Sequence, residues 1–560
     1  MVDTAAPRTP NVVLATLAAV ALLLGAAGCT VDQSAPPQRA TPVVGTSDIN
    51  PQPREKLRKG GTLKLSIQQW IEQYNIGHVD GTQGDGAAIL GLTQPALWFT
   101  DENGVPRANP DVLASAEVTA TAPAQVVTYQ LNPKATWSDR TPVTWRDFEI
   151  QWRTRNGTSS AFTISDPTGY DLISKVERGA DDRTAVVTFS KPYADWQSLF
   201  DPLLPGTALD TPDEFNSGWL EKIPVWGGPW KIGTADKTTQ TITVVPNPDY
   251  WGTKPVLDSI VFRALDSTAI TEAFLNKEID QAPARQPEAY RRLAGSADTV
   301  LRTGSRWDET LLSLASHGPL TELPVRQALG KALNRQAIAD SQSGGLPFKV
   351  NVLGSHFYMP GQAGYQDSSA SYGTFDLAGA RTLLTQAGWA EAGAGQPRTK
   401  NGTPLKLTYV VSSGSTSDVP QLVQNMLGQV GFQVELQRVP ANDFFAKYVN
   451  TGSYDLVNFR SVDLLFPSQG VSTYRSDGTQ NFGKIGTPEI DRLLEAAAAE
   501  TDRSKSTILY NQADALIWQV GHSFPLFQTP QISAVRTGLA NFGAFGLLSS
   551  KQYVDVGWLA

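Results

Sequence analysis

A single cysteine, Cys29, among 560 residues is the strongest constraint on how this chain can fold. With no second thiol, the chain cannot form an internal disulfide or build a zinc site from CxxC pairs. Its stability must therefore come from a packed core, which a chain of this length can supply. At roughly 150 residues per domain, the length predicts three to four domain-sized units.

The overall charge argues against one class of partner. The chain has 46 basic and 54 acidic residues, which gives a net charge of −8. Binding to nucleic acid needs a concentrated basic surface, so no nucleic-acid partner is predicted. A hydrophobic content of 41% with 18% charged residues is typical of a folded globular chain.

The N-terminus has the pattern of an export signal. An apolar run at 12–27 is followed by Gly28 and then by Cys29. The run is shorter than the ~20 residues of a membrane-spanning helix, and small residues close it, which predicts a signal peptide at 1–28. Cysteine directly after this site resembles a bacterial lipoprotein signal, in which the cysteine is lipidated. An ordinary secretory signal or an uncleaved anchor is the alternative.

A polar segment separates Cys29 from the rest of the chain. Residues 29–57 contain five prolines among polar residues, which predicts an extended tether. Together with a lipidated Cys29, the tether predicts that the folded body is held at the extracytoplasmic face of the cell membrane.

Strand and helix patterns are mixed along the whole body, which predicts an α/β (mixed α+β) fold. Alternating β-branched and aromatic residues predict strands at 60–70, 124–131, 183–190 and 257–265. Apolar periodicity predicts helices at 325–341, 376–389 and 488–500, and a helix followed by a strand at 420–439. No second low-complexity linker follows residue 59, so the body is predicted to be one multi-lobed unit.

The motifs of common enzymes and metal sites are missing. The sequence has no HExxH, GxSxG, CxxC or helix-opening GxGxxG. The stretch GTQNFGKI (478–485) fits GxxxxGK, but Ile485 occupies the position where Ser or Thr must bind magnesium. The four histidines are scattered along the chain without a pair at helical spacing. Neither catalysis nor a metal or other cofactor is predicted.

Several segments resemble, in the same order, those of the extracytoplasmic solute-binding proteins of family 5, the peptide, dipeptide and nickel receptors of ABC importers. They include ATWSDRTPVTWRDFEIQWR (135–153), GGPWKI (227–232), NPDYWGTKPVLDSIVFR (247–263), VRQALGKALNRQAI (325–338), GSYDLVNF (452–459) and FPLFQ (524–528). The resemblance spans roughly residues 58–540.

The resemblance implies a two-lobed clamp of three domains, like periplasmic binding proteins, with ligand enclosed in the cleft between the lobes. Lobe I would consist of 58–97, 214–308 and 526–560, with an extra domain at 98–213, and lobe II of 309–525. The closed form would dock on the ABC permease.

The resemblance also implies ligand contacts in the segment NFRSVDLLFP (458–467). Peptide-binding members use an aspartate, followed four residues later by proline, to hold the α-ammonium group of the ligand; Asp463 and Pro467 have this spacing. Arg460 stands where these receptors usually have tryptophan, and it could hold a ligand carboxylate or phosphate. Alternatively, Asp463 and Arg460 pair with each other.

Two further segments would reach the cleft. The stretch after the first strand offers Gln69, Trp70 and Tyr74 for hydrogen bonding and stacking, although Trp70 could equally belong to the core. Trp307 and Asp308 are weaker candidates at the entrance to lobe II.

The sequence therefore predicts a monomeric lipoprotein, not an enzyme, that binds peptides or peptide-like solutes for an ABC importer. An oligosaccharide, a siderophore, haem or a metal chelate is the alternative ligand. An extracytoplasmic chaperone or enzyme is the alternative of another class.

Overall fold

The computed structural model describes residues 47–344, 346, 348–370, 372–393, 395–415, 417–440, 443–461 and 465–560, which all belong to one unit, Thr41–Ala560. The predicted signal peptide, Cys29 and most of the predicted tether lie outside the described residues. No helix in the described part of the chain is long and apolar enough to cross a membrane.

The strands of the described residues are β1 (Thr62–Ile67), β2 (Trp98–Thr100), β3 (Pro106–Ala108), β4 (Leu113–Ala120), β5 (Val126–Leu131), β6 (Ile173–Arg178), β7 (Thr184–Phe189), β8 (Trp230–Asp236), β9 (Thr241–Pro246), β10 (Ser259–Ala264), β11 (Gln281–Pro283), β12 (Thr299–Leu314), β13 (Thr399–Lys400), β14 (Thr403–Pro404), β15 (Lys406–Ser412), β16 (Gln433–Val439), β17 (Leu456–Ser461), β18 (Ser523–Arg536), β19 (Leu539–Ala540) and β20 (Gly557–Trp558).

The α-helices of the same residues are α1 (Gly84–Thr93), α2 (Trp145–Arg155), α3 (Pro212–Asn216), α4 (Ile270–Leu275), α5 (Pro287–Ala294), α6 (Leu323–Ala332), α7 (Arg335–Ser343), α8 (Leu377–Gln386), α9 (Val419–Gly428), α10 (Val471–Tyr474), α11 (Pro488–Ala499) and α12 (Arg503–Val520).

Three large sheets organise these elements. The first sheet has the order β1-β10-β9-β8, the second β4-β5-β7-β6, and the third β11-β18-β12-β17-β15-β16. The first sheet pairs β1 parallel to β10, the second is antiparallel, and the third is mixed, with β15 parallel to both β16 and β17. Sheets combined with helices confirm the predicted mixed α/β class.

Each sheet has its own apolar core because its strands alternate buried and exposed side chains. In β1, Leu63, Leu65 and Ile67 are buried in the core of the first sheet. Tyr129 of β5 lies in the core of the second sheet, and Tyr409 of β15 in that of the third. The predicted strands at 60–70, 124–131, 183–190 and 257–265 are confirmed.

Two long antiparallel strands connect the lobes. β12 pairs with β18 from Thr299↔Arg536 to Ser313↔Ser523, and the register shifts between Ser305 and Glu309. The pair begins beside an apolar cluster formed by α4, α5 and β11 and ends in the core of the third sheet. The fold is therefore a two-lobed clamp, as predicted. The exact domain boundaries stay a prediction.

The helix predicted over 325–341 is wrong as a single element. Helix α6 ends at Ala332, and α7 begins at Arg335. Asn334 separates them because its side-chain oxygen accepts a hydrogen bond from the N–H of Ala337 at 2.9 Å and so caps the second helix. The helices predicted at 376–389 and 488–500 are confirmed, and the side chain of Asp376 caps α8 by accepting a hydrogen bond from the N–H of Gly379.

Residues 47–57, here called the N-terminal strap and predicted to belong to the tether, lie against the body. The N–H of Asp48 donates to the carbonyl of Ala544 at 2.7 Å, and the carboxylate of Asp48 accepts from Arg302 at 2.8 Å. The N–H of Gln52 donates to the side chain of Asn541 at 2.8 Å. Since Arg302 is only 7% exposed, its charge needs this carboxylate partner. The strap is thus part of the fold.

Candidate functional site

A cavity of about 620 Å³ lies where the first lobe meets the third sheet. A volume of several hundred cubic ångströms is typical of a small-molecule site. The first lobe supplies Gln68, Arg285, Gln286 and Pro287. The second lobe and the connecting strands supply Thr310, Ser341, Gln342, Gly414, Ser415, Ser417, Asp418, Asn458, Phe459, Phe527 and Pro530.

The cavity lies at the carboxyl ends of parallel strands. β15 ends at Ser412, and the loop after it brings Ser415, Ser417 and Asp418 into the lining. In open α/β sheets, ligands bind in the crevice outside these strand ends. The topology of the third sheet therefore explains the position of the cavity.

Hydrogen bonds fix the side chains that face the cavity. Gln342 donates to the carboxylate of Asp418 at 2.8 Å, which joins α7 to the loop before α9. The hydroxyl of Tyr409, buried in β15, donates to the side-chain oxygen of Asn458 at 2.8 Å. On the opposite wall, the backbone N–H of Gln68 donates to Asp85 in the first turn of α1 at 2.7 Å.

The lining consists mostly of neutral amides and hydroxyls, with one arginine, Arg285, and one carboxylate, Asp418. Phe459, Phe527 and two prolines add apolar surface. Such a lining can exchange hydrogen bonds with a polar ligand that has little net charge, and its aromatic side chains can cover apolar parts of that ligand.

The predicted residues of the first lobe do not line this cavity. Gln69 is exposed next to the lining residue Gln68. Trp70 packs against the core of the first sheet, and its indole N–H has no partner among the described residues. Tyr74 is 3% exposed in the same core, where burial and the nearby charge of Glu221 raise the pKa of its hydroxyl.

The predicted residues at the entrance to the second lobe are also held by the protein itself. Trp307 packs against Leu353 and Met359, and its ring tip is so close to Gly104 that a Cβ there would lie 2.4 Å away. Asp308 is 1% exposed and accepts an ion-pair contact from Arg306 at 2.9 Å.

The segment predicted to carry the main ligand contacts is only partly described. Arg460 lies in β17, with its backbone in register with Thr310, which lines the cavity. Asp463 lies outside the described residues. The prediction that these two residues contact ligand therefore stays a prediction.

Most of the lining was missed by the sequence reasoning. Thr310 and Asp418 belong to no recognisable motif, whereas Asn458 and Phe459 open the segment 458–467 that was predicted to contact ligand. One signal could have found part of the lining. The strand pattern that ends at Ser412 predicts a loop at the carboxyl end of a strand, which is where ligands bind in open α/β sheets.

A buried titratable cluster lies beside the connecting strands, outside the cavity lining. Glu309 is fully buried, and burial together with the charge of Asp514 raises its pKa. The Nδ1 atom of His356 lies 2.6 Å from the carboxylate of Asp514, and both residues are fully buried. Burial lowers the pKa of His522 to about 3, so this histidine is neutral at pH 7. Within the described residues, no three His, Cys, Asp or Glu side chains are grouped as metal ligands would be.

Comparison with known proteins identifies the family. The sequence model of the bacterial extracellular solute-binding proteins, family 5 (middle part), matches residues 109–482. The oligopeptide-binding protein OppA of Mycobacterium tuberculosis is 37% identical over 541 residues, which cover 95% of this chain and 91% of that protein. The nickel-binding periplasmic protein of Escherichia coli is 24% identical over 302 residues, 52% of this chain and 56% of that protein.

Solved structures show the same fold. The periplasmic EDTA-binding protein EppA aligns with a TM-score of 0.84 at 24% identity over 91% of this chain and 98% of that chain. The oligopeptide-binding protein AppA of Bacillus subtilis, in complex with a nonapeptide, aligns with a TM-score of 0.75 at 18% identity. The alignment covers 90% of this chain and 100% of that chain. This chain therefore belongs to the bacterial extracellular solute-binding proteins of family 5.

Proposed function

We propose that this protein is the lipid-anchored receptor of an ABC importer and that it captures peptides or peptide-like solutes in the cleft between its lobes. The observation that carries this proposal is the cavity of about 620 Å³, lined by amides and hydroxyls from both lobes. A peptide backbone presents N–H and C=O groups at regular intervals, and such a lining can pair with them whatever the peptide sequence.

The relatives support a peptide ligand. The mycobacterial relative, similar over nearly the whole chain, is named an oligopeptide-binding protein, and the AppA structure contains a nonapeptide. Bound peptide would be held reversibly, without catalysis, and passed from a monomeric receptor to the permease. Lobe I, the extra domain and lobe II would have the boundaries predicted from the sequence.

Within this proposal, Asp463 holds the α-ammonium group of the peptide, and Arg460 stands three residues before it in the sequence. A carboxylate in a closed cleft needs a cation, and the peptide N-terminus supplies one. If Arg460 instead holds an anionic ligand, the ligand class changes to polycarboxylates such as the EDTA named for EppA, or to their metal chelates. A single experiment can separate these two assignments.

The test is native mass spectrometry of the purified protein with whatever ligand it retains, followed by Asp463→Ala and Arg460→Ala. We expect a series of peptide masses, and we expect Asp463→Ala to weaken peptide binding more than tenfold while the unliganded protein keeps its melting temperature. The matched control is Asp249→Ala, at an exposed aspartate. A sugar or metal-chelate mass, lost in Arg460→Ala, would overturn the peptide assignment.

A further inference from the structure

Away from the cavity, a short segment after the second sheet makes hydrogen bonds to the third sheet's lobe. This segment, residues 190–198, follows β7 and reaches the 3₁₀ turn Pro467–Gly470 and the end of α11. The hydroxyl of Tyr193 lies 2.9 Å from that of Ser468 in a buried contact. The N–H of Ser468 donates to the carboxylate of Asp195 at 2.9 Å.

A third hydrogen bond completes the contact. The N–H of Ala194 donates to the carbonyl of Ala498 at 2.8 Å. Ala498 lies in the last turn of α11, where helix carbonyls have no partner within the helix. The segment after the second sheet therefore satisfies a carbonyl at the C-terminal end of α11.

The segment is held rigidly on its own side. Gln125, which is 1% exposed, accepts from the N–H of Tyr193 at 2.6 Å and donates to its carbonyl at 3.0 Å. The ring of Tyr193 is packed so closely on Gly169 that a Cβ there would lie 2.8 Å away. A group held in this way loses little conformational freedom when it binds its partner.

We propose that Tyr193, Asp195 and Ser468 form a latch that holds the cleft closed. Its position in the sequence connects it to the ligand segment, because Ser468 stands five residues after Asp463. Because Tyr193 and Asp195 follow the second sheet and Ser468 belongs to the third sheet's lobe, the latch joins the two sides of the molecule and would slow the escape of ligand. The link to ligand rests on the proposed function, whereas the latch contact itself does not.

The first test uses unliganded protein and hydrogen exchange of peptides that cover 466–474. Tyr193→Phe and Ser468→Ala remove the same hydroxyl contact, so we expect each to speed exchange about fivefold, as one net hydrogen bond predicts. The double variant should exchange no faster than either single variant, because the two substitutions remove one interaction. Ser198→Ala is the matched control: its hydroxyl lies 3.2 Å from that of Tyr193 but belongs to the same segment. Equal effects of Ser198→Ala and Ser468→Ala, or none from either, would overturn the latch.

The second test measures the release of a random hexapeptide library from the same proteins. We expect the Tyr193→Phe and Ser468→Ala variants to release peptide about fivefold faster than the Ser198→Ala control. If wild-type protein retains no peptide but the exchange result holds, the peptide assignment fails and the latch stands. If peptide is retained and neither readout changes, the latch fails and the peptide assignment stands.

Discussion

Glu309 offers the sharpest test of how this fold is held together. Its side chain is fully buried, and neither carboxylate oxygen has a hydrogen-bond partner among the described residues. Burial, and then the negative charge of Asp514, raise its pKa well above the reference value of 4.5. Tyr474 is a second titratable neighbour. The folded protein therefore keeps a proton on Glu309 that the unfolded chain releases.

The sign and size of the effect follow from proton linkage. Above pH 4.5 the unfolded chain loses this proton while the folded protein keeps it, so stability falls as pH rises towards the raised folded pKa. One proton corresponds to about 1.4 kcal/mol for each pH unit. Glu309→Gln replaces the neutral carboxyl with a neutral amide of the same shape. The free energy of unfolding of this variant should therefore lack the fall with pH that Glu309 causes in the wild type.

Urea unfolding followed by tryptophan fluorescence at pH 5, 6 and 7 measures the difference. We expect the free energy of unfolding of Glu309→Gln to rise relative to that of the wild type as the pH increases, by at most about 1.4 kcal/mol per pH unit and only below the raised folded pKa of Glu309. Glu102→Gln, at an exposed glutamate, should follow the wild type. Parallel curves for Glu309→Gln and the wild type would refute a buried neutral carboxyl.

Three further predictions concern the N-terminus and the connection between the lobes. Deleting residues 30–46 should leave the free energy of unfolding unchanged, whereas deleting residues 30–57 should lower it by about 1–3 kcal/mol, since buried Arg302 loses its carboxylate partner; equal urea midpoints would contradict a folded strap. Cys29→Ser should move a folded, ligand-competent protein from the membrane fraction to the soluble fraction, and its retention in membranes would argue against the anchor. Gly104→Ala should lower stability by about 1–3 kcal/mol, because the backbone has φ +72° and the new Cβ would lie 2.4 Å from the ring of Trp307; an unchanged melting temperature would contradict this contact.

Local patterns predicted the elements whose side chains alternate regularly. β1 and β5 bury every second residue, so their strands could be recognised from the sequence. β12 could not be recognised over its full length of 16 residues, because it carries buried Asp308 and Glu309 where a strand pattern requires apolar side chains. The break between α6 and α7 depended on one residue, Asn334, whose capping role a helical periodicity does not reveal.

The site was harder to predict than the fold, for a physical reason. Its lining residues lie on segments from Gln68 to Pro530, and only strand pairing brings these segments together. The N-terminal strap shows the same limitation. Its prolines and polar residues predict an extended chain, but a 3₁₀ turn at Arg54–Lys56 interrupts it, and its partners Arg302 and Asn541 are hundreds of residues away.

The bulge in β12 explains how one lobe could move on the other without breaking the connecting strands. Ser305 pairs with Pro530 and Glu309 with Gln528, so residues 306–308 have no partner in register on β18. Side chains hold them instead, since Gln528 donates to the carbonyl of Arg306 at 2.9 Å. A segment without ladder hydrogen bonds bends at lower cost than the paired strand on either side. Bending of the connecting strands is therefore expected to cost least at this bulge, which lies between the first lobe and the third sheet. Under the latch proposal, the bulge would permit the motion of one lobe on the other, and the latch would set how long the closed state lasts.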